Sequence, residues 1–238
     1  IFLGDYAGQG VTNTSYSNFL GYSAGQGVTN VSNSNFLGNS AGYGAVNASY
    51  SNFFGGAAGN GAIDAYNSNF FGYQAGLNAA SASNANFIGF SAGYSAFNSS
   101  AANFIGNSAG YNASNAGSSN FLGDSSGYEA TNASNANFIG HETGFRATNA
   151  DSSNFIGLST GKNATNAFQS NFIGLFAGQD ATNAARSIFI GSYTGINDVV
   201  DNTLNNTTDN CDQFFGRYCY SILIGDWAST GEIGRAHV

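Results

Sequence analysis

The chain has 238 residues, of which 34 are glycine, none is proline and only 8 % are charged. Its formal charge of −8 disfavours nucleic acid as a partner, because affinity for nucleic acid depends on Lys and Arg side chains that neutralise phosphates. No apolar run approaches the roughly 20 residues of a membrane-spanning helix, and 15 % aromatic residues argue against a disordered low-complexity tract.

A repeat with a period of 17 residues begins at the first residue and continues to Gly195. Each unit contains Phe, then Leu, Ile or Phe, then Gly, and a second Gly follows four residues later. Most units carry Asn before the Phe, and the typical unit is S-N-F-I-G-x-x-A-G-x-x-A-T-N-A-x-x. A strict short period of this kind indicates stacked, nearly identical structural units.

The period predicts an all-β fold, a β-solenoid (β-roll or β-helix) with one 17-residue coil per repeat. A helical repeat needs about 33 to 47 residues, and two glycines per unit would weaken a helix by about 1 kcal/mol each. In a β-solenoid each residue stacks on its equivalent about 4.8 Å along the axis, so that identical side chains form rows. The absence of proline agrees, since proline cannot donate to such a ladder.

The glycines are predicted to occupy corners of the coil, where the backbone needs positive φ or approaches another chain segment closely. The corner glycines of the early coils are Gly21, Gly25, Gly38, Gly42, Gly55 and Gly59.

Each coil carries two adjacent apolar residues, which must point to opposite faces of a strand. A thin interior can hold one of them together with small alanines such as Ala24 and Ala45. We expect the Phe residues to form the core: Phe19, Phe36, Phe53, Phe70, Phe87, Phe104, Phe121, Phe138, Phe155 and Phe172. The alternative places Phe outside and Leu or Ile inside, and it also leaves one apolar row uncovered.

The second apolar residue of each coil is then predicted to form an exposed assembly stripe along the rod. Such a continuous stripe is an interaction surface, and we expect another copy of the chain to cover it. Its members are Leu20, Leu37, Phe54, Phe71, Ile88, Ile105, Leu122, Ile139, Ile156 and Ile173.

Three segments are predicted along the chain. Residues 1–195 form twelve tandem coils, residues 196–220 an irregular insertion or elaborated coil, and residues 221–238 a resumed coil with a C-terminal segment. The phase of the repeat survives the insertion, because Gly225 follows Gly191 by 34 residues, two periods. Neither end has a polar cap, so we expect the rod to continue beyond both ends or to stack head to tail.

The insertion contains both cysteines, Cys211 and Cys219, whose spacing fits no zinc-binding pattern. We favour a local disulfide, with two free buried thiols as the alternative. A disulfide would indicate a location outside the cytoplasm.

No pattern of catalytic residues is recognisable, so we expect neither an enzyme nor a cofactor or metal. His141 stands at a variable position typical of a solvated surface residue, and nothing signals the buried Asp and placed base of a catalytic triad. Asp124, Glu129 and Glu142 are neighbours in repeat space, which would allow an acidic patch or a weak cation site.

Two polar patterns are candidates for function. Sequons that are candidates for N-glycosylation recur in one column, at Asn13, Asn30, Asn47, Asn98 and Asn132. A column of threonines resembles the flat faces of ice-binding solenoids, but other residues interrupt it; the threonines are Thr12, Thr29, Thr131, Thr148, Thr165 and Thr182.

In its S-N-F-I-G motif and Ala/Gly spacing the sequence resembles the head repeats of trimeric autotransporter adhesins, which carry a Ser-x-Ala-Ile-Gly type of coil. It is also similar to repeat stalks of phage tail fibres and bacterial surface fibres. The resemblance covers about residues 1–195 and returns at Ser221–Gly225. The coil here is longer, and Phe replaces the small residue before Ile. The resemblance implies a homotrimeric, extracellular fibre.

These observations predict a structural or adhesive extracellular fibre segment, on a cell surface, a secreted fibre or a virion. It would self-associate through the apolar stripe into a trimer or a filament, with extracellular glycans as further candidate partners. The alternative is a ligand-binding solenoid that recognises ice or glycans.

Overall fold

The computed structural model describes residues 1–198 and 221–229. This part of the chain consists of strands and turns without a helix, and the chain winds into parallel coils that stack 17 residues apart. The predicted β-solenoid with one repeat per coil is confirmed. Within the same residues there is accordingly no helix of the length and apolarity needed to cross a membrane.

One side of the rod is a parallel sheet of thirteen strands, in the order β1-β3-β5 and then consecutively from β6 to β15; β2 and β4 pair separately. The strands are β1 (Phe2–Leu3), β2 (Thr12–Ser15), β3 (Asn18–Leu20), β4 (Thr29–Ser32), β5 (Asn35–Leu37), β6 (Asn52–Phe54), β7 (Asn69–Phe71), β8 (Asn86–Ile88), β9 (Asn103–Ile105), β10 (Asn120–Leu122), β11 (Asn137–Ile139), β12 (Asn154–Ile156), β13 (Asn171–Ile173), β14 (Ile188–Ile190) and β15 (Ile222–Ile224).

Strand pairing keeps every coil in the same register, so that Phe104 pairs with Phe121 and Ile105 with Leu122. We number the positions of a coil from 1 at Asn18 to 17 at Ser34, and we call the equivalent residues of successive coils a row. Position 1 is the Asn row, position 2 the Phe row, position 3 the apolar row and position 5 the flank row.

The core of the rod is a continuous stack of phenylalanine rings. From Phe19 to Phe189 every side chain of the Phe row is fully buried. Successive rings from Phe2 to Phe189 lie 4.5 to 5.1 Å apart between centroids and at most 20° from parallel. Buried alanines fill the remaining interior at positions 7, 11 and 14 of most coils. Burying each ring stabilises the fold by about 1.5 to 3 kcal/mol.

Buried serines at position 17 bond to the next coil. The Ser34 hydroxyl accepts a hydrogen bond from the Ser51 N–H, at 3.2 Å, and donates one to the Ala48 carbonyl, at 2.9 Å. Among the described residues no buried side-chain nitrogen or oxygen lacks a partner. The narrow interior is therefore both densely packed and satisfied in its hydrogen bonds.

The two glycine rows are required for different physical reasons. At Gly38 the backbone has φ +137°, and a Cβ atom would lie 2.4 Å from the carbonyl oxygen of Gly55 in the next coil. At Gly42 the φ is +63°, and a Cβ atom would lie 2.2 Å from the ring of Phe36. The first row thus permits neighbouring coils to approach each other, and the second leaves room for the Phe stack.

The repeat keeps its phase where the sequence pattern is interrupted. Strand β15 pairs directly with β14, matching Ile222 with Ile188. The regular path continues as far as Asp198, whose carbonyl accepts a hydrogen bond from the Thr182 N–H at 2.7 Å. Residues 196–198 of the predicted insertion, which spans residues 196–220, lie on this regular path. Most of the insertion, with Cys211 and Cys219, falls outside the described residues, so the predicted disulfide stays a prediction.

Alanine substitutions at two glycines of one coil should distinguish the destabilisation caused by close backbone approach from that caused by positive φ alone. We expect Gly38→Ala to destabilise the fold by at least about 3 kcal/mol, because the new methyl group would collide with the next coil. Gly44→Ala is the matched control: it has φ +64° and no atom within 4 Å of the added Cβ, so it should cost about 1 to 2 kcal/mol. Thermal unfolding followed by circular dichroism measures both, and equal losses would contradict this explanation.

Candidate functional site

The apolar row lies on the outer face of the thirteen-stranded sheet. Within a strand such as β9, Asn103 is half-buried, Phe104 is buried and Ile105 is 39 % exposed. The arrangement with Phe outside is therefore excluded. The row is unbroken over the regular coils: Leu20, Leu37, Phe54, Phe71, Ile88, Ile105, Leu122, Ile139, Ile156, Ile173 and Ile190.

The Asn row borders the apolar row on one side. Each side-chain amide nitrogen from Asn18 to Asn154 donates to the side-chain oxygen of the asparagine one coil further on, over 2.7 to 2.9 Å. Rows of stacked asparagine amides are also found in cross-β assemblies. The bonds use one donor and one acceptor site of each internal amide within the rod, and they hold this border straight.

The flank row lies two residues beyond the apolar row and varies along the rod. Tyr73 and Phe90 are 53 % and 55 % exposed, and their rings stack with centroids 5.3 Å apart. Beside them Phe54 and Phe71 of the apolar row stack at 5.0 Å. The exposed apolar surface is therefore wider in these coils than in coils with a polar flank residue, such as that of Asn107.

The candidate glycosylation sites lie in the exposed row at position 13. Asn13, Asn30, Asn47, Asn98 and Asn132 are all exposed, with φ between +50° and +55°. Asparagine is one of the few residues that tolerate this left-handed conformation. Each of the five amides also donates to the residue one coil further on.

The serine of these sequons has a structural partner too. The hydroxyl of Ser134 donates to the carbonyl of Asn115 at 2.9 Å, and that of Ser49 donates to the carbonyl of Asn30 at 3.1 Å. The backbone conformation and these bonds therefore account for an Asn-x-Ser pattern in the repeat, and glycosylation stays a prediction.

The threonine row at position 12 is continuous only from Thr131 to Thr182, where its members form successive parallel bridges. Earlier coils place Ile63 and Phe97 in this row, 47 % and 50 % exposed. The flat, unbroken polar face that an ice-binding solenoid requires is consequently absent from these coils.

The acidic residues singled out in the sequence lie next to basic side chains of neighbouring coils. Glu129 pairs with Arg146 at 2.7 Å, and Asp124 lies 3.7 Å from the Nε2 of His141. Glu142 pairs with Lys162 at 2.7 Å. In residues 1–198 and 221–229 no group of three or more His, Cys, Asp or Glu side chains could hold a metal ion. Among the described residues, Glu129 and Glu142 thus form cross-coil ion pairs and do not join a cluster of metal ligands.

An aromatic stack at position 9 was not singled out from the sequence, although its members recur every 17 residues. Tyr94, Tyr111, Tyr128 and Phe145 stack at 4.7 to 4.9 Å. The Nζ of Lys162 lies 5.2 Å from the centroid of the Phe145 ring. Partial burial, followed by the neighbouring tyrosines and Glu129, raises the pKa of Tyr111.

A shallow groove lies beside position 13 in the early coils. Its lining includes Asn30, Asn47 and Asp64, together with Tyr50 and Tyr66. The two tyrosine rings meet edge to face with centroids 5.3 Å apart, and Asn47 donates to the Asp64 carboxylate at 2.7 Å. Aromatic edges and hydrogen-bonding groups thus converge on one open surface.

Comparisons with known proteins do not identify a family. No protein-family model matches the chain, and no curated protein matches it.

The Glu142–Lys162 pair should make a small, pH-dependent contribution to stability. The hydrogen bond from Lys162 holds the pKa of the Glu142 carboxyl below its ordinary value of 4.5, against partial burial, which raises it. Because the folded-state pKa is depressed, the stabilisation is present above the ordinary value and is lost as the pH falls through the folded-state pKa. Both side chains are nearly 30 % exposed, which limits the contribution to less than about 1 kcal/mol.

We therefore expect the wild type to exceed Glu142→Gln in free energy of unfolding at about pH 7 and to lose this advantage as the pH falls below the ordinary carboxyl pKa and through the lowered folded-state pKa. The same comparison in a Lys162→Met background is the control and should show no such pH dependence. Denaturant titrations measure all four proteins, and an advantage that grows on acidification would contradict the assignment.

Proposed function

We propose that this chain is a structural rod segment that self-associates through its apolar row, with a mechanical and not a catalytic role. The observation that carries the proposal is the unbroken line of partly exposed Leu, Ile and Phe side chains along one side of the rod. A monomeric soluble protein rarely exposes a contiguous apolar surface of such length. The thirteen-stranded sheet extends it over about 60 Å.

The architecture supports a mechanical role because each coil is bonded to the next at several positions around its cross-section. Backbone bonds such as that from the Gly106 N–H to the Ile88 carbonyl, at 2.9 Å, are repeated from coil to coil. The Asn row and the Phe stack add side-chain contacts at the same spacing. In-register stacking of this kind gives cross-β assemblies their exceptional stability.

The best partner for the apolar row is a second copy of the same chain. A surface that repeats about every 4.8 Å is matched by a partner with the same spacing. Another copy of the rod has that spacing, and burying one apolar row against the other removes both rows from water. We therefore propose self-association, into a trimer or a filament, as the assembled state.

An extracellular location and an adhesive role belong to the same proposal. They are supported by the resemblance of the coil motif to adhesin heads and phage or bacterial fibres. The variable positions, which differ from coil to coil while the interior stays constant, would supply contacts to cell-surface or extracellular glycans.

Charges placed in the apolar row should separate the copies. We expect Ile105→Glu/Ile139→Glu to be monomeric at about 100 µM where the wild type is associated, because carboxylates in a desolvated interface cost several kcal/mol. Asn33→Glu/Asn135→Glu, with the same charges at exposed position 16, is the matched control and should remain associated. Sedimentation velocity measures the sizes, and a monomeric wild type would refute the proposal.

The groove beside position 13 favours a second candidate function, glycan binding. Tyr66 is 44 % exposed and would pack against the apolar face of a sugar, while Asp64 and Asn47 would bond to its hydroxyl groups.

A glycan array followed by titration of the strongest ligand tests this candidate. We expect Tyr66→Ala to weaken binding at least about tenfold, since it removes an aromatic contact of about 1.5 kcal/mol or more. Tyr22→Ala removes an exposed tyrosine outside the groove and should bind as the wild type does. Absence of any bound glycan would eliminate this function.

A further inference from the structure

The flank row has a mirror pattern along the rod. At its centre is Asp124, and residues of the same class occur at equal numbers of coils on either side, in the order polar, apolar, apolar, small, polar. The successive pairs are Asn107 with His141, Phe90 with Leu158, Tyr73 with Leu175, Gly56 with Ser192, and Asn39 with Asp226. Asp226 lies in the fifth coil from Asp124 because β15 stacks directly on β14.

The pattern matters because the flank row borders the surface that the proposed function assigns to self-association. Positions 1 and 3 point outwards on either side of the buried Phe, and position 5 is exposed beyond them in most coils. The face therefore consists of three rows side by side: Asn, apolar and flank. The flank row is the variable one of the three, with members as different as Gly56, Phe90 and Asp124.

Two identical faces of this kind can meet in two symmetric ways. If the two-fold axis runs along the rod, the copies are parallel and the order of the rows is reversed, so that each flank row faces the partner's Asn row. If the axis runs across the rod within the interface, the copies are antiparallel and each row faces itself in reverse order. A mirror pattern in the flank row is complementary only in the second arrangement.

We propose, on the basis of the proposed function, that two copies pair face to face and antiparallel, with the two-fold axis at the coil of Asp124. Phe90 then meets Leu158 of the partner subunit, and Tyr73 meets Leu175 of the partner subunit. The apolar row meets itself from Leu37 to Ile224. Aromatic side chains thus lie opposite aliphatic ones, and small residues lie opposite small ones.

Other arrangements match less well. Parallel copies would place Tyr73 and Phe90 against the half-buried amides of the Asn row, which would lose water without gaining hydrogen bonds. An antiparallel pair shifted by one coil would place Leu158 against Asn107, and Tyr73 against Ser192. The central register is the one that keeps like classes together from Asn39 to Asp226.

The centre of the interface brings two Asp124 carboxylates together, and each already has donors around it. Asn107 Nδ2 donates to Asp124 Oδ1 at 3.2 Å, and Ser125 Oγ donates to the same atom at 3.0 Å. The Nε2 of His141 lies 3.7 Å from the other oxygen. The hydrogen bonds from Asn107 and Ser125 offset part of the repulsion between the two carboxylates.

A charge-pair experiment tests the register. Phe90→Asp and Leu158→Lys should each weaken association about a hundredfold, because each buries an unpaired charge twice in the symmetric dimer. The double variant Phe90→Asp/Leu158→Lys should recover to within about tenfold of the wild type, since Asp and Lys then face each other across the interface.

The matched control is Ser95→Asp/Asn163→Lys, which places the same charges in the same two coils at position 10, where Glu129 and Arg146 occur naturally. It should associate as the wild type does. Sedimentation equilibrium measures the association constants, and circular dichroism checks that each variant is folded.

Photo-cross-linking gives an independent measure of direction. With p-benzoylphenylalanine in place of Phe90, mass spectrometry should locate the cross-link near Leu158 of a second copy. Association with cross-links near residue 90 of the second copy, or a double variant as weak as the single ones, would overturn the antiparallel pairing and leave the proposed function standing. A wild type that stays monomeric would refute the proposed function and the pairing with it.

Discussion

In the regular coils of this protein each residue stacks on its own equivalent one coil away, and the rest of the described structure depends on that constraint. Backbone hydrogen bonds fix the stacking, so the side chains of a row lie about 4.8 Å apart whatever they are. Phenylalanine and asparagine are stable in such a row, because rings stack and amides bond to one another. Like charges at this distance repel, which explains why only 8 % of the residues are charged.

The exceptions follow the same constraint. Glu129 and Arg146 occupy one position in successive coils and form an ion pair. Elsewhere an amide neighbours a carboxylate, as where Asn163 donates to Asp180 at 2.8 Å. Motifs that would indicate function in another protein also have a structural origin here, since repeated glycines and Asn-x-Ser sequences meet the needs of the backbone at corners. Composition and motif are therefore governed by the stack before any ligand is considered.

Much of the fold could be predicted because the period alone specifies stacked coils and their register. The period does not decide which apolar residue faces inwards, because a strand with Phe104 inside and Ile105 outside has the same alternation as the reverse arrangement. That choice depends on the cross-section of the coil, where Gly110 leaves room for the Phe104 ring. The Glu142–Lys162 pair spans 20 residues instead of 17, so it depends on turn geometry that a periodic pattern does not contain. The structure shows which rows are buried and which are exposed, and this assigns the flank row to the surface.

A perfectly uniform rod would not define the register in which two copies pair. If every row repeated without change, two rods could slide past each other by one coil and keep nearly all their contacts, so no register would be preferred. Specificity requires positions at which a shifted register is worse than the correct one. The interior cannot supply them, because the Phe row and the glycine rows are fixed by packing. The flank row can, since it adjoins the apolar row and alternates between large apolar, small and polar residues. Its variation along an otherwise regular rod is what could turn a sliding contact into a defined interface.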